Sequence, residues 1–259
     1  MASLGITIED LHIYIFVFVR LAAIILFNPV MQQARMPAGV KPALLMCLTI
    51  IVSPLVPFYE FDGSVLSFLV GIMGEFFIGF LLGFVFNVYY YMLMFAADIM
   101  DTQLGFSMAK TMDPLTNIQS ATMGTFFNIM FMLYFFTTNC HLILINMAVR
   151  TFDAIGAGAY EISYQGGCRF AIELFSSVFL LAMRLALPFV AAEFVLEVSL
   201  GLLMKLIPQI HVFVIQMQGK ILVGLALLIS MMVPVNNFVS AYIEKMFSSA
   251  NDAIMALVT

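Results

Sequence analysis

Long apolar blocks alternate with short polar interruptions along this chain, and the blocks predict helices rather than strands. The first helix is predicted over about Leu11 to Asn28, and a connector with Arg35 and Lys41 follows over residues 28–42. A second, proline-bounded helix covers about Val40 to Pro57 and delivers the chain to an acidic turn at Phe58–Gly63. The third starts near Ser64 and meets no breaker stronger than glycine until about Met100. At 1.5 Å per residue that is longer than one bilayer crossing. Another helix is predicted from about Ala121 to Arg150, then a glycine-rich loop over 151–167. The last third reads as a hairpin, Cys168 to Leu206 and His211 to Phe247, turned at Pro208-Gln209 and kinked at Pro188 and Pro234. Hydropathy places about six spans, and the positive-inside rule puts the 28–42 connector in the cytoplasm.

The stretch Ala96 to Gly124 is the one long polar interruption. Charge-poor runs, Phe76 to Ala97 and Leu115 to Val149, flank it, each long enough to cross a hydrocarbon layer of roughly 30 Å as helix. The interruption still carries Leu104, Phe106, Met108 and Met112 beside three aspartates and a lysine. An aqueous connector has little use for four large apolar side chains, so the segment is expected to pack inside a pore or an intersubunit space. Phe106, Met108, Met112 and Leu115 supply apolar closure. Gly105, Pro114 and Gly124 break helix, and Asp113-Pro114 favours a turn.

Composition narrows the class. Hydrophobic residues make up 63% of the 259 and charged residues only 10%, with a mean hydropathy of +1.09. Soluble domains carry about 25% charged residues, so most of this surface does not face water. Without the short in-out alternation of an outer-membrane barrel, helix is the economical way to satisfy the backbone in lipid. The expected fold is all-α: a polytopic membrane-associated protein of helical hairpins and long kinked helices. A net charge of −5 gives no reason to expect nucleic acid as a partner. The acidic start, with Glu9 and Asp10, argues against a cleaved secretory signal. Cys47, Cys140 and Cys168 are too scattered for a disulfide framework or a zinc site and read as small apolar packing residues. Twenty-one methionines suit surfaces that re-pack around varying shapes.

Several residues stand out against this background. Arg20, Glu75, Arg184, Glu193, Glu197 and Lys220 are charges within apolar helices, expected to be buried when the protein assembles with other helices. Glu75 is expected to pair with Arg20 or Lys220. Gly74, Gly79 and Gly83 form a small-residue face that admits a helix backbone closely. Arg169 and Glu173 stand four apart on one helix face, as do Glu193 and Glu197. His141 has no second ligand at metal spacing, so no metal or cofactor is expected. No phosphate-binding loop, nucleophile elbow, zincin helix or dinucleotide fingerprint is present, and an enzyme is not expected.

The combination Pro37-x-Gly39-Val-Lys41, Gly74-Glu75-x-x-x-Gly79-x-x-x-Gly83, Gln103-x-Gly105-Phe-Ser107-Met-Ala with Asp113-Pro114, and Pro208-Gln209-Ile210-x-Val212-Phe213 resembles the FliR family. That family comprises membrane subunits of the flagellar type III protein export gate, with counterparts in virulence injectisomes. The resemblance implies one copy built into a helical spiral with the P and Q components, the B component wrapping the entrance, and unfolded export substrates passing through. It implies a multi-pass protein of the bacterial inner membrane at the flagellar basal body. Residues 105–124 would be the pore plug, with Gly105, Phe106, Ser107, Met108, Met112, Asp113, Pro114 and Leu115 as its site residues. Residues 1–167 would be P-subunit-like and 168–259 a Q-subunit-like hairpin. Two other readings are a virulence export gate subunit and an ion-coupled secondary transporter using Glu75, Glu193 and Glu197. The second of these lacks the internal repeat that transporters often show.

Overall fold

The computed structural model describes residues 8–33, 39–56, 64–106, 121–158, 163–207 and 212–258, and every regular element in them is helical. In chain order these are α1 (Ile8–Leu26), α2 (Pro29–Gln33), α3 (Val40–Val52) with a 3-10 turn at Ser53–Leu55, α4 (Val65–Gln103), α5 (Thr122–Thr137), α6 (Cys140–Ala154), α7 (Tyr164–Leu206) and α8 (Val212–Val258).

Local chemistry sets the boundaries. Asn28 Oδ1 accepts from the Val30 N–H at 2.9 Å and Pro29 occupies the first helical position, so α2 starts on a standard N-cap. Pro54 converts the end of α3 to a 3-10 turn. Ser64 Oγ accepts from the Ser67 N–H at 3.2 Å at the head of α4. Gly105, at φ +75°, closes its far end in the left-handed geometry that glycine adopts without strain.

Of three differences from the expected elements, two have a local physical cause. The predicted helix over Ala121 to Arg150 is broken, because Asn139 takes φ 55° and separates α5 from α6. The loop expected over 151–167 is shorter. The Ser163 hydroxyl accepts from the Gly166 N–H at 3.2 Å and starts α7 at Tyr164, so Gly166 and Gly167 lie inside the helix. The last arm runs on as helix to Val258. α7 and α8 continue through Pro188 and Pro234.

Among the described residues, α4, α7 and α8 are long and apolar enough to cross a membrane, and α5 with α6, bent by 68° at their break, reach that length and composition only as a pair. α1 and α3, expected as spans, are shorter apolar helices.

The chain divides into two compact units. The first comprises residues 1–89, 136–175 and 245–259. In it α1 lies directly on the glycine face of α4: a Cβ added at Gly79 would sit 2.5 Å from the Arg20 carbonyl oxygen, and one at Gly83 2.5 Å from the Phe27 Cβ. The Asn87 amide donates to the Phe27 and Gly83 carbonyls, satisfying the end of α1. The tail of α8 joins this unit through the Tyr89–Ser249 hydroxyl pair at 2.8 Å and the Ser163 N–H to Leu257 carbonyl bond at 3.1 Å.

The second unit comprises residues 90–135 and 176–244. Phe127, Phe131 and Phe135, spaced by four on α5, are fully buried, and Phe131 meets Tyr90 edge to face at 5.6 Å. Val178, Ala182, Leu185, Ala186 and Phe189 form the buried stripe of α7.

The glycine face generates a paired prediction. Gly79→Ala should displace α1 and cost about 1–3 kcal/mol, the usual range for overpacking. Gly201→Ala, whose added Cβ would meet nothing within 4 Å, should leave stability unchanged or slightly raised. Thermal unfolding of both variants in the same detergent measures the difference.

Candidate functional site

The first polar centre lies inside the first unit and is built around a fully buried arginine. Arg20 Nε donates to Glu75 Oε2 at 2.5 Å and Nη2 to Oε1 at 3.0 Å, the bidentate geometry that suits guanidinium and carboxylate. Nη1 donates to the Thr151 carbonyl at 3.0 Å and the Ile155 carbonyl at 2.9 Å, and Nη2 to the Gly156 carbonyl at 3.3 Å. The Ile155 and Gly156 carbonyls stand past the last turn of α6, while the Thr151 carbonyl is shared with the Ile155 N–H, which donates to it at 2.9 Å; at this end of the helix the dipole favours a cation. The Phe152 ring covers the guanidinium carbon at 4.1 Å. Glu75 is held from its other side by the Gly158 N–H at 2.7 Å, presented from a backbone at φ +78°.

Arg20 and Glu75 were expected to remain costly until other subunits covered them; in the structure they close on each other within one chain. Glu75 is thereby committed to structural bonds and is not available as an ion-coupling carboxylate. Gly79 and Gly83 receive α1 of the same chain. Gly74 is buried.

The second centre lies in the second unit, where the polar stretch leaves α4 and rejoins α5. Asp101 is fully buried, and its Oδ1 accepts from the Met123 N–H at 2.9 Å. A carboxylate at the first turn of α5 meets both an orphan donor and the positive end of the dipole. The two roots of the stretch are thus tied together. Leu104 is buried against Gly224 of α8, where any added side chain would collide with it. Gly105 lies beside Lys220, close enough that a Cβ there would sit 3.8 Å from the lysine Cβ. The Lys220 ammonium donates to Glu197 Oε1. Gly105 and Phe106 are partly exposed. The expected plug residues Ser107, Met108, Met112, Asp113, Pro114 and Leu115, and the turn residues Pro208 and Gln209, lie outside the described residues.

Within the single chain the other charges expected to be buried on assembly differ in exposure. Glu193 is buried; Glu197 and Arg184 are exposed. At about 100° per residue Arg184 stands roughly 200° round α7 from Ala182, away from the buried stripe. Glu197 lies one turn beyond Glu193, where the cover of the stripe ends. Cys140 is buried as expected, whereas Cys47 and Cys168 are exposed.

Beside the second centre an apolar groove of about 550 Å³ runs between α5 and α8, lined among others by Met123, Phe126, Met130, Met232 and Val233. Tyr134 donates to Asn236 Oδ1 at 2.7 Å along it.

The sequence reading missed the carbonyls of Thr151, Ile155 and Gly156, and no residue-type signal could have revealed them, since a backbone acceptor can belong to any residue. The cap at Asp101 was closer to legible: an aspartate before a break, with a helix resuming at Thr122, is the chemistry of an N-cap supplied from a distance.

Long apolar helices, charges closed on one another inside the chain and a polar stretch rooted at two helix ends define a polytopic helical membrane protein. The chain belongs to the bacterial export proteins, family 1, whose model matches residues 11–246. It is 28% identical to the flagellar biosynthetic protein FliR of Escherichia coli K12 over 249 residues, covering 95% of this chain and 94% of that one. The FliR of Bacillus subtilis 168 is 27% identical, with 90% and 92% covered. The Yop proteins translocation protein T of Yersinia pestis is 27% identical over 203 residues, with 78% and 73% covered.

Two outcomes test these centres. Arg20→Met leaves a buried carboxylate without its cation and should destabilise the protein by about 3–5 kcal/mol, whereas Arg20→Met with Glu75→Met should recover much of that loss. Protease resistance in detergent at graded temperature reads both. Asp101→Ala should lose about 1 kcal/mol of capping and speed amide hydrogen exchange at Met123.

Proposed function

We propose that this chain is a non-enzymatic structural subunit of the flagellar protein export gate. The observation that carries the reading is the end-to-end likeness to flagellar FliR proteins, over nine-tenths or more of both chains in the two instances above. The likeness to the Yop translocation protein covers 78% of this chain, which favours a flagellar over a virulence assignment.

In this reading the chain sits in the bacterial inner membrane at the flagellar basal body and assembles with the P, Q and B components around a path for unfolded substrates. Residues 1–167 play the P-like part and 168–259 the Q-like part. Large exposed apolar residues support the need for cover by lipid or neighbours: Ile172, Leu187, Phe194 and Leu202 on α7, and Leu222, Ile229, Met232 and Val233 on α8. Residues 105–124 act as the pore closure. Their rooting at Asp101 and Leu104 supports this, because a plug needs fixed ends as well as apolar side chains.

Two measurements test the proposal. Affinity purification of the chain in mild detergent should recover a larger complex containing the P and Q components; a monomer active alone would overturn it. Deleting Phe106 to Ile118 should leave assembly intact, because the helix packing at the roots is retained, and should make cells leak small solutes when no substrate is being exported. An assembled deletion that stays tight would return the segment to a connector.

A further inference from the structure

The buried stripe of α7 runs Val178, Ala182, Leu185, Phe189 and then Glu193, at steps of three and four residues. The last position in that series calls for an apolar side chain and holds a carboxylate. Glu193 is fully buried, and neither of its oxygens has a hydrogen-bond partner. An ionised carboxylate without donor or cation is the most unfavourable state such a site could hold. The charged groups whose fields reach it are Lys220 on α8 and Glu197, one turn further along α7. The Lys220 ammonium is already engaged with Glu197, whose side chain is 43% exposed.

We propose that Glu193 is a proton-binding site whose occupancy is exchanged against the ammonium of Lys220. In one state Glu193 carries a proton and is neutral, while Lys220 bonds Glu197. In the other, the proton leaves to solvent, Lys220 moves to the Glu193 carboxylate, and Glu197 stays ionised at the exposed rim. One proton is released, no covalent bond other than the carboxyl O–H breaks, and the lysine stays charged throughout. The two acceptors are four residues apart on α7, about 6 Å of helix rise, within reach of a side chain with four methylenes. The lysine stem lies along Gly105, so the exchange takes place at the root of the polar stretch. The proton site stands on this geometry alone; any bearing on pore closure rests on the export-gate reading.

The test is infrared difference spectroscopy between acidic and alkaline pH on the full chain in phospholipid nanodiscs, with whatever subunits co-purify. Above the bands of its other carboxyls, the wild type should show at the acidic end the high-frequency carbonyl band of a protonated carboxylic acid without hydrogen-bond partners, and lose it on alkalinisation. Glu193→Gln should abolish that band and Glu197→Gln should keep it. Lys220→Met removes the exchanging cation and should hold the band to higher pH. A wild type with no such band, or a band that Glu197→Gln removes and Glu193→Gln does not, overturns the proposal. If Glu193→Gln cannot be recovered folded, Glu193→Asp serves: a shifted band supports the site and an unmoved one overturns it. The spectrum is independent of secretion, so a chain with the expected band and no role in export would sink the export-gate reading and leave the proton site standing.

Discussion

The first unit depends on a guanidinium that has no water to turn to. Arg20 is wholly enclosed, and a cation in that position is tolerable only when its N–H groups find acceptors and its charge finds a counter-charge. Meeting both demands draws in three parts of the chain: the carboxylate of α4, the carbonyls ending α6 and the N–H of Gly158 on the far side of the carboxylate. None of these is interchangeable with apolar packing. A hydrophobic contact can slide by an ångström at little loss, whereas a bidentate bond with carbonyls at fixed angles cannot. The arginine therefore sets register as well as holding helices together, and the bare backbones at Gly79 and Gly83 make the necessary closeness of α1 possible.

Much of this architecture was legible in the residues and part was not. Block hydrophobicity gave the helical class and the approximate starts of α3, α4 and α5, because apolar runs and prolines act locally. Arg20 and Glu75 announced themselves as charges in apolar helices. Their closure on each other was one of two named pairings, and only the packing decided between Glu75 and Lys220. The break at Asn139 was not legible, since asparagine in a long apolar run gives no more than a slight bias towards the left-handed region. Burial within α7 was also beyond the sequence: Arg184 and Glu193 look alike as charges in one helix, and they differ only in angle about its axis.

The two centres divide the work. One fixes helices with charge spent on charge; the other leaves Lys220 at the boundary between an exposed carboxylate and a buried one, next to a glycine within the polar stretch. A subunit of an export gate has use for both, a frame that holds shape under the passage of a polypeptide and a margin at which small movements are permitted. Each long helix contributes one segment to each unit, so frame and margin are written in the same elements.

The arginine centre also orders events in time. Its partners lie 55 and 131 to 136 residues further along the chain. At roughly 5–20 residues per second of synthesis, α1 has left the ribosome on the order of ten seconds before the α6 carbonyls exist. During that interval Glu75 can supply the counter-charge while the carbonyl acceptors are still missing, so the arginine of this nineteen-residue helix is only partly satisfied. The counter-charge of the arginine and its carbonyl acceptors are thus made at different times, and a lesion near Thr151 would be felt in the seating of α1.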